Sequence, residues 1–196
     1  SINPIFLLPE LTQDEFDKIA DGLFASATMG VGQFCTNPGI VFYREGVPGN
    51  NFRNSFVEKM KKFEPATMLH RGIRNSYGQG IEKISNGEGV KVLLGSNENK
   101  GEGECDAMPC VLETSVNHFL NDSNLSLEIF GPATLLVSYR DRDDLLRVAG
   151  KLEGQLTASL FGHAENLDEH EGLIDILETK AGRLLFNQFP TGVALC

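Results

Sequence analysis

Cys35 is the residue whose surroundings point most clearly to chemistry. It lies in the segment 29–39, MGVGQFCTNPG, where glycines crowd the thiol. Glycines let a substrate or another backbone come close to the sulfur, which a core cysteine does not need. A deprotonated thiol attacks carbonyl carbons, and backbone amides around it can stabilise the oxyanion that forms. The segment predicts a nucleophile, with Gly30 and Gly32 keeping the approach open; the alternative is a structural cysteine in a sharp helix-to-strand turn.

A second candidate site is the segment 127–132, LEIFGP, where Glu128 precedes an aromatic side chain and a Gly-Pro stop. A carboxylate here can accept hydrogen bonds from a ribose diol, as acids do in dinucleotide sites of other folds. The ring of Phe130 would then shape the pocket beside it. The other interpretation is a solvated acid at a turn, and the segment taken alone favours that one.

The remaining residues of chemical interest give weaker patterns. Cys105 and Cys110 are separated by four residues, and no second pair of cysteines lies close by, so we expect no metal site. The glycine-rich residues 101–103 lack the lysine and hydroxyl side chain of a phosphate loop. None of the four histidines has a spacing that marks it as a base for the thiol, although folding could bring one close; they are His70, His118, His163 and His170.

Composition narrows the class of protein. The formal charge of −10 argues against binding nucleic acid or an anionic membrane through bulk electrostatics. No apolar run approaches the roughly 18–20 residues of a membrane span, and four cysteines in 196 residues do not make a disulfide framework. We therefore expect a cytoplasmic globular protein.

The elements that must position the two segments alternate along the chain. Apolar runs predict strands over 5–8, 39–43, 90–94, 133–137, 156–161 and 184–186, and an extended segment over 108–120. Helical spacing follows the capping pattern of Thr12 and Glu15 and recurs over 52–63, 67–85, 141–152 and 168–180, the last ended by Gly182. Residues 96–104 read as a polar loop. This alternation predicts one α/β domain with a mainly parallel sheet.

Taken together, the segments resemble one known family. The residues GQFC at 32–35 resemble the catalytic cysteine signature of the aldehyde dehydrogenase superfamily, and EIFGP at 128–132 is similar to its cofactor-contacting motif. The order of the two matches the family. Residues 182–187, GRLLFN, are similar to a strand and asparagine near the end of its catalytic domain, and Asn3-Pro4 resembles the tail of a further family element. The resemblance spans essentially the whole chain.

The resemblance implies a three-layer α/β/α catalytic domain and a mechanism. The Cys35 thiolate would attack an aldehyde to give a thiohemiacetal, hydride transfer to a nicotinamide would leave a thioester, and water would release the acid. The backbone N–H of Cys35 would bind the oxyanion. Glu128 would hold the nicotinamide ribose and Phe130 would pack beside the nicotinamide. Phe34 and Phe189 are the weaker candidates for lining the aldehyde pocket.

Finer features place the resemblance in one branch of the family. Residues 1–4, 33–39 and 187–193 resemble NADP-dependent fatty aldehyde and α-ketoglutarate semialdehyde dehydrogenases. The implied cofactor is NADP, with NAD as the other possibility. The implied substrate is a small-molecule aldehyde, either a semialdehyde such as 2,5-dioxopentanoate or an aliphatic aldehyde. The resemblance also implies that the parent protein is a homo-oligomer.

The chain departs from the family's pattern at its two ends. The general-base glutamate should fall before Ser1, and the nucleotide-binding domain should lie upstream as well. We therefore expect residues 1–196 to be an excised catalytic domain without the nucleotide-binding domain or the C-terminal tail, and to be inactive alone. Two other readings stay open: a non-catalytic module, and a cysteine hydrolase or acyl-transfer enzyme that uses Cys35 without a nicotinamide.

Overall fold

The computed structural model describes residues 1–95 and 103–192. Within them the strands are β1 (Ile5–Leu7), β2 (Ile40–Arg44), β3 (Ala66–Thr67), β4 (Lys91–Leu94), β5 (Asp106–Ala107), β6 (Cys110–Ser115), β7 (Ala133–Tyr139), β8 (Gln155–Phe161) and β9 (Ala181–Phe186). The helices are α1 (Gln13–Thr28), α2 (Val47–Met60), α3 (Arg71–Ser85), α4 (Val116–Asn121), α5 (Arg142–Lys151) and α6 (Glu171–Lys180).

Seven of these strands form one sheet in the order β4-β6-β7-β2-β1-β8-β9. All neighbours in it are parallel except the edge strand β4, which runs antiparallel to β6. Strands β3 and β5 pair separately as a short antiparallel ribbon. The predicted α/β class with a mainly parallel sheet is confirmed.

Helices cover both faces of the sheet. Inward side chains of α1 and α2 pack against one face and those of α3 to α6 against the other, so two hydrophobic clusters form, one on each side. The strands read as nearly continuous apolar runs because a parallel sheet is buried on both faces. In β1, Ile5 and Leu7 join the first cluster while Phe6 joins the second. The three-layer arrangement implied by the family resemblance is the observed one.

Helix α1 begins as its sequence predicts. The carboxylate of Glu15 accepts hydrogen bonds from the backbone N–H and the hydroxyl of Thr12, at 2.8 and 2.7 Å, which completes the capping box. The box satisfies donors that a helix start leaves free. Helix α5 likewise begins at its predicted cap, where the Asp141 carboxylate accepts from the N–H of Asp144.

Two sequence predictions of local structure are wrong. The extended segment predicted over 108–120 ends at Ser115, because its hydroxyl accepts from the N–H of His118 and starts helix α4. Gly182 does not terminate a helix. Helix α6 passes directly into β9 at Ala181, so Gly182 lies inside a strand.

Two further segments differ from their predicted bounds. The helix predicted over 168–180 is an α-helix only from Glu171, after a 3₁₀ segment over Ala164–His170. The helix predicted from residue 67 starts at Arg71, where the ring of His70 accepts from the N–H groups of Gly72 and Ile73. Most of the polar loop predicted over 96–104 lies outside the described residues.

Candidate active site

The segments that carry the candidate chemistry meet at the amino ends of three neighbouring parallel strands. Asn3 lies just before β1, Cys35 lies five residues before β2, and Gly131 and Pro132 lead directly into β7. Strands β7, β2 and β1 are adjacent in the sheet. The topology therefore brings the two sequence motifs to the same edge.

Asn3 anchors the segment 29–39 that carries Cys35, which we call the cysteine loop. Its side chain is fully buried, and its amide nitrogen donates to the carbonyl oxygens of Cys35 and Asn37, both at 2.9 Å. Its amide oxygen accepts from the hydroxyl of Thr157 in β8, at 3.0 Å. The backbone of Asn3 has φ 45, a left-handed conformation that asparagine tolerates better than most residues. This residue ties the thiol-bearing loop to the start of β1 and to β8.

Gly32 and Gly131 bring the two motifs into contact. A Cβ atom on Gly32 would lie 2.3 Å from the carbonyl oxygen of Gly131 and 2.5 Å from the nitrogen of Pro132. Gly32 also has φ +65, which favours glycine. The prediction that Gly30 and Gly32 keep the approach to the thiol open is therefore wrong. Gly32 permits backbone-to-backbone packing, and Gly30 lies beneath the ring of Phe34.

The backbone around Cys35 forms a turn with several anchors. The N–H of Asn37 donates to the carbonyl of Phe34 at 3.0 Å, and the side-chain amide of Asn37 donates to the carbonyl of Gly131 at 3.2 Å. On the other flank, the side-chain oxygen of Gln33 accepts from the N–H of Leu69. The thiol therefore sits on a fixed turn.

Cys35 is the exposed thiol among the described cysteines. Its backbone N–H donates to no acceptor within 1–95 and 103–192, so this donor is available to an oxyanion. By contrast, Cys110 is 1% exposed, and burial raises the pKa of its thiol to about 12. Cys105 is partly buried. A thiolate is the nucleophilic form of cysteine, so Cys110 is unsuited to attack at neutral pH.

Glu128 and Phe130 closely precede Gly131, which contacts the cysteine loop, and both side chains remain accessible. The Glu128 side chain is 43% exposed, and one of its oxygens lies 3.1 Å from the nitrogen of Ser1. Phe130 is 36% exposed and directly precedes the Gly131 that touches the loop. An accessible carboxylate next to an accessible aromatic ring fits the ribose and base of a nucleotide.

The structure separates the two phenylalanines predicted to line an aldehyde pocket. Phe34 is 37% exposed and adjoins Cys35. Phe189 instead packs its ring on Phe161, with centroids 4.7 Å apart, and over Gly22 of α1. Two residues later the same segment reaches the cysteine loop, since the hydroxyl of Thr191 donates to the carbonyl oxygens of Ser26 and Thr36.

The histidines have other partners. His163 lies 2.9 Å from Glu15, and that hydrogen bond raises the pKa of the imidazole. His170 is buried against Glu10, also at 2.9 Å. His70 caps α3 as described, and among the described residues no histidine forms a hydrogen bond with Cys35.

Within residues 1–95 and 103–192 no group of three histidine, cysteine or acidic side chains is placed to hold a metal ion. Over those residues no helix is long and apolar enough to cross a membrane.

Sequence reasoning missed the role of Asn3. The sequence places Asn3 in a family-like element but does not predict that its side chain donates to the carbonyl oxygens of Cys35 and Asn37. The signal that was available is an asparagine immediately before a proline at the start of an apolar strand, a position where the chain must turn and where asparagine tolerates a left-handed backbone.

Comparison with known sequences gives one family. A profile described as the aldehyde dehydrogenase family matches residues 3–195. The alpha-ketoglutaric semialdehyde dehydrogenase 2 of Azospirillum brasilense is 40% identical over 196 residues, which is 100% of this chain and 37% of that protein. An alpha-ketoglutaric semialdehyde dehydrogenase of Acinetobacter baylyi is 34% identical over 194 residues, covering 98% of this chain and 36% of the relative. The chain thus spans less than two fifths of the length of these relatives.

Solved structures share the fold. The glyceraldehyde-3-phosphate dehydrogenase GapN of Methanocaldococcus jannaschii, complexed with NADP, superposes with a TM-score of 0.77 at 18% identity, over 99% of this chain and 41% of its own. The Delta-pyrroline-5-carboxylate dehydrogenase of Mycobacterium tuberculosis has a TM-score of 0.80 at 18% identity, over 97% of this chain and 36% of its own.

Proposed function

The chain belongs to the aldehyde dehydrogenase family, and on that premise we propose that residues 1–196 form the thiol-bearing catalytic domain of an NAD(P)-dependent enzyme that oxidises an aldehyde to a carboxylic acid. The observation that carries the proposal is the meeting of two segments far apart in sequence. The backbone contact of Gly32 with Gly131 joins the exposed Cys35 to the Glu128–Phe130 segment at one sheet edge.

Cys35 performs the covalent chemistry. Its thiolate adds to the aldehyde carbon, forming a C–S bond and placing negative charge on the oxygen, toward which the free N–H of Cys35 can donate. Loss of a hydride from the thiohemiacetal leaves a thioester. Water then attacks the acyl carbon, the C–S bond breaks, and the carboxylic acid leaves with the thiol restored. The turn that ends at Asn37 keeps the sulfur in place through these steps.

Glu128 and Phe130 are the residues of this chain that would hold the nicotinamide nucleotide. When bound, that cofactor supplies the hydride acceptor. The carboxylate of Glu128 accepts hydrogen bonds from the ribose hydroxyls, and the exposed ring of Phe130 offers an apolar surface beside them. Phe34, next to the nucleophile, lines the aldehyde side, and Phe189 is the more remote candidate because its ring packs on Phe161.

For the substrate we propose a semialdehyde of the 2,5-dioxopentanoate type. The proposal is supported by the 40% and 34% identity with two alpha-ketoglutaric semialdehyde dehydrogenases. NADP is the proposed cofactor on the branch resemblance of residues 1–4, 33–39 and 187–193, with NAD as the alternative, and the parent protein is proposed to be a homo-oligomer.

The test is turnover by the longest natural polypeptide that contains these 196 residues. NADPH or NADH formation is followed with 2,5-dioxopentanoate and with hexanal, beside the variants Cys35→Ser and Cys105→Ser. We expect turnover that disappears in the first variant and persists in the second, with the semialdehyde as the better substrate and NADP as the better cofactor.

Two outcomes separate the alternatives. Hydrolysis of a thioester or p-nitrophenyl ester that needs Cys35 but no nicotinamide, without dehydrogenation of either aldehyde, would assign a hydrolase. No reaction of either kind, together with no selective alkylation of Cys35 at neutral pH, would assign a non-catalytic module.

A further inference from the structure

A cavity lined mainly by polar and charged residues lies at the opposite edge of the sheet from Cys35. Its volume is about 500 Å³, within the range of about 300–1,000 Å³ typical of small-molecule sites. It opens at the carboxyl ends of β2, β6 and β7 and is bounded by the start of α2 and by α4. Strand β2 spans five residues between the two edges, a length of about 17 Å. The cavity is therefore separate from the proposed active site.

A buried charged network forms one wall. Glu113 is 8% exposed, and its Oε1 accepts from the hydroxyl of Tyr43 at 2.5 Å and from the guanidinium of Arg53 at 2.9 Å. Both partners also line the cavity. Among the described residues no group donates to the second oxygen, Oε2. Because Glu113 lines the cavity, this oxygen can accept a hydrogen bond from a ligand bound there.

Charges of both signs surround that oxygen. Lys91 faces Glu113 in the antiparallel register of β4 and β6, so its side chain lies on the same face of the sheet. Glu45 lies across the cavity, where the hydroxyl of Ser138 donates to it at 3.3 Å. Arg53 already neutralises Glu113. A ligand that complements these charges carries an ammonium group for the carboxylates of Glu113 and Glu45 and a carboxylate for Lys91.

The position agrees with a general rule for this architecture. Open α/β sheets bind ligands in the crevice outside the carboxyl ends of their parallel strands. The proposed active site lies at the amino ends of β1, β2 and β7, so it does not occupy this crevice. Hydroxyl side chains of Thr114, Ser115 and Ser138 line the cavity as well.

We propose that this cavity is a second ligand site, which binds a small neutral α-amino acid, with the ammonium group held by Glu113 and Glu45 and the carboxylate held by Lys91. The ammonium donates to Oε2 of Glu113, and the hydroxyl-lined wall receives a short polar side chain. The site is separate from the proposed aldehyde oxidation, and the amino acid binds there without reacting.

The experiment is calorimetric titration of the longest natural polypeptide that contains this sequence with L-serine and L-threonine. L-lactate, which lacks the ammonium, and ethanolamine, which lacks the carboxylate, are the matched probes. We expect saturable binding of an amino acid and at least about tenfold weaker binding of both probes, as the loss of one charge-assisted contact predicts.

Variants locate the binding. Lys91→Gln and Glu45→Gln change exposed side chains of the cavity and leave the Tyr43–Glu113–Arg53 network intact, so each should weaken binding about tenfold without unfolding the chain. Lys62→Gln and Glu64→Gln, beyond the far end of α2, are the controls and should bind as the unchanged protein does. Cys35→Ser should also bind normally.

Three results would overturn the proposal. The first is no saturable binding of either amino acid. The second is lactate or ethanolamine binding as tightly as L-serine, which would leave no zwitterion preference. The third is full binding in both Lys91→Gln and Glu45→Gln, or its loss in Cys35→Ser, because either would place the ligand elsewhere.

Discussion

At the residue scale, the cysteine loop depends on one buried amide. Asn3 donates to two carbonyl oxygens of the loop and accepts from Thr157, so it links three segments at once. We expect Asn3→Ala to lower the free energy of unfolding of the chain by about 1–3 kcal/mol, because the variant leaves buried acceptors without donors. Amide exchange over residues 34–37 should become faster.

Asn3→Gly is the control for backbone strain at this position. Glycine accepts the left-handed backbone of Asn3 but lacks the side-chain bonds. The two variants should therefore share the faster exchange at 34–37, and alanine should be the less stable by the added strain of about 1–2 kcal/mol. Unchanged exchange in both variants would mean that Asn3 does not hold the loop.

Gly32 gives a second prediction at this scale. In Gly32→Ala the new Cβ would lie 2.3 Å from the Gly131 carbonyl, so the two motifs must separate. Unfolding free energy should fall by more than the roughly 1–2 kcal/mol of left-handed strain alone, and alkylation of Cys35 by iodoacetamide, mapped by mass spectrometry, should change in rate. Gly150→Ala, on α5 with nothing within 4 Å, should raise stability by about 0.5–1 kcal/mol. Equal stability of the two variants would contradict the packing argument.

The sequence predicted more of the site's residues than of its geometry. The glycines and the proline around Cys35 predict an accessible thiol, and the structure exposes it on a turn. The contact of Gly32 with Gly131 could not be predicted, since it joins residues 99 positions apart and depends on the order of β2 and β7 in the sheet. Phe189 shows the same limit: its apolar character suits both a pocket and the core, and its ring packs on Phe161.

At the element scale, the start of helix α1 predicts a pH dependence. Hydrogen bonds from Thr12 and His163 lower the pKa of Glu15 from 4.5 to about 2. A lowered carboxyl pKa contributes stability that is complete above about pH 4.5 and is lost as the pH falls toward 2. The pKa of His163 is raised above 6.5 by Glu15, so its contribution is present below pH 6.5 and is lost as the pH rises through the folded value.

Glu15→Gln tests this dependence by thermal unfolding as a function of pH. The difference in stability between the unchanged chain and the variant should be greatest near pH 5–6, should shrink toward pH 2 as Glu15 is protonated, and should narrow again in alkaline solution. Asp14→Asn removes a charge from the same turn, where Asp14 makes no side-chain hydrogen bond among the described residues. A pH profile for Glu15→Gln that parallels that of Asp14→Asn would refute the assignment.

The elements themselves were predictable where local chemistry decides them. The capping box of α1 and the Asp141 cap of α5 are local signals, and both helices start there. The alternating apolar pattern wrongly predicts an extended chain over 116–121. The pattern there suits a strand or a short helix equally, and the Ser115 cap starts a helix. Gly182 failed as a helix stop because β9 pairs with β8 immediately after α6, and that pairing is a tertiary effect.

At the scale of the whole molecule, one sheet separates the two hydrophobic clusters, and its strands run from the edge that carries Cys35 to the edge that carries the cavity. Strand β2 is the clearest case: Gly39 precedes it at the cysteine edge, and Glu45 follows it at the cavity edge. Its Phe42 packs into one hydrophobic cluster and its Tyr43 into the other. The thiol loop and the cavity therefore rest on the same buried strand, and we expect the chain to unfold as one cooperative unit.

Phe42→Ala and Phe52→Ala test that cooperativity from opposite sides of the sheet. Phe42 stacks on Phe6 with centroids 4.7 Å apart, and Phe52 lies parallel to Phe56 at 6.4 Å. Each substitution should lower the free energy of unfolding by about 3–5 kcal/mol, whereas Val47→Ala, at a side chain 72% exposed, should change it by less than about 0.5 kcal/mol.

Hydrogen exchange gives the decisive readout, because it reports the two layers separately. If the sheet couples them, Phe52→Ala must speed the slowest amides of α5, on the far face, as much as those of α2, on which Phe52 lies. Acceleration confined to α1 and α2 would mean that the layers open independently. Strand β2 would then give no mechanical link between the cysteine edge and the cavity edge, and an occupant of the cavity could not influence Cys35 through the shared stability of the sheet.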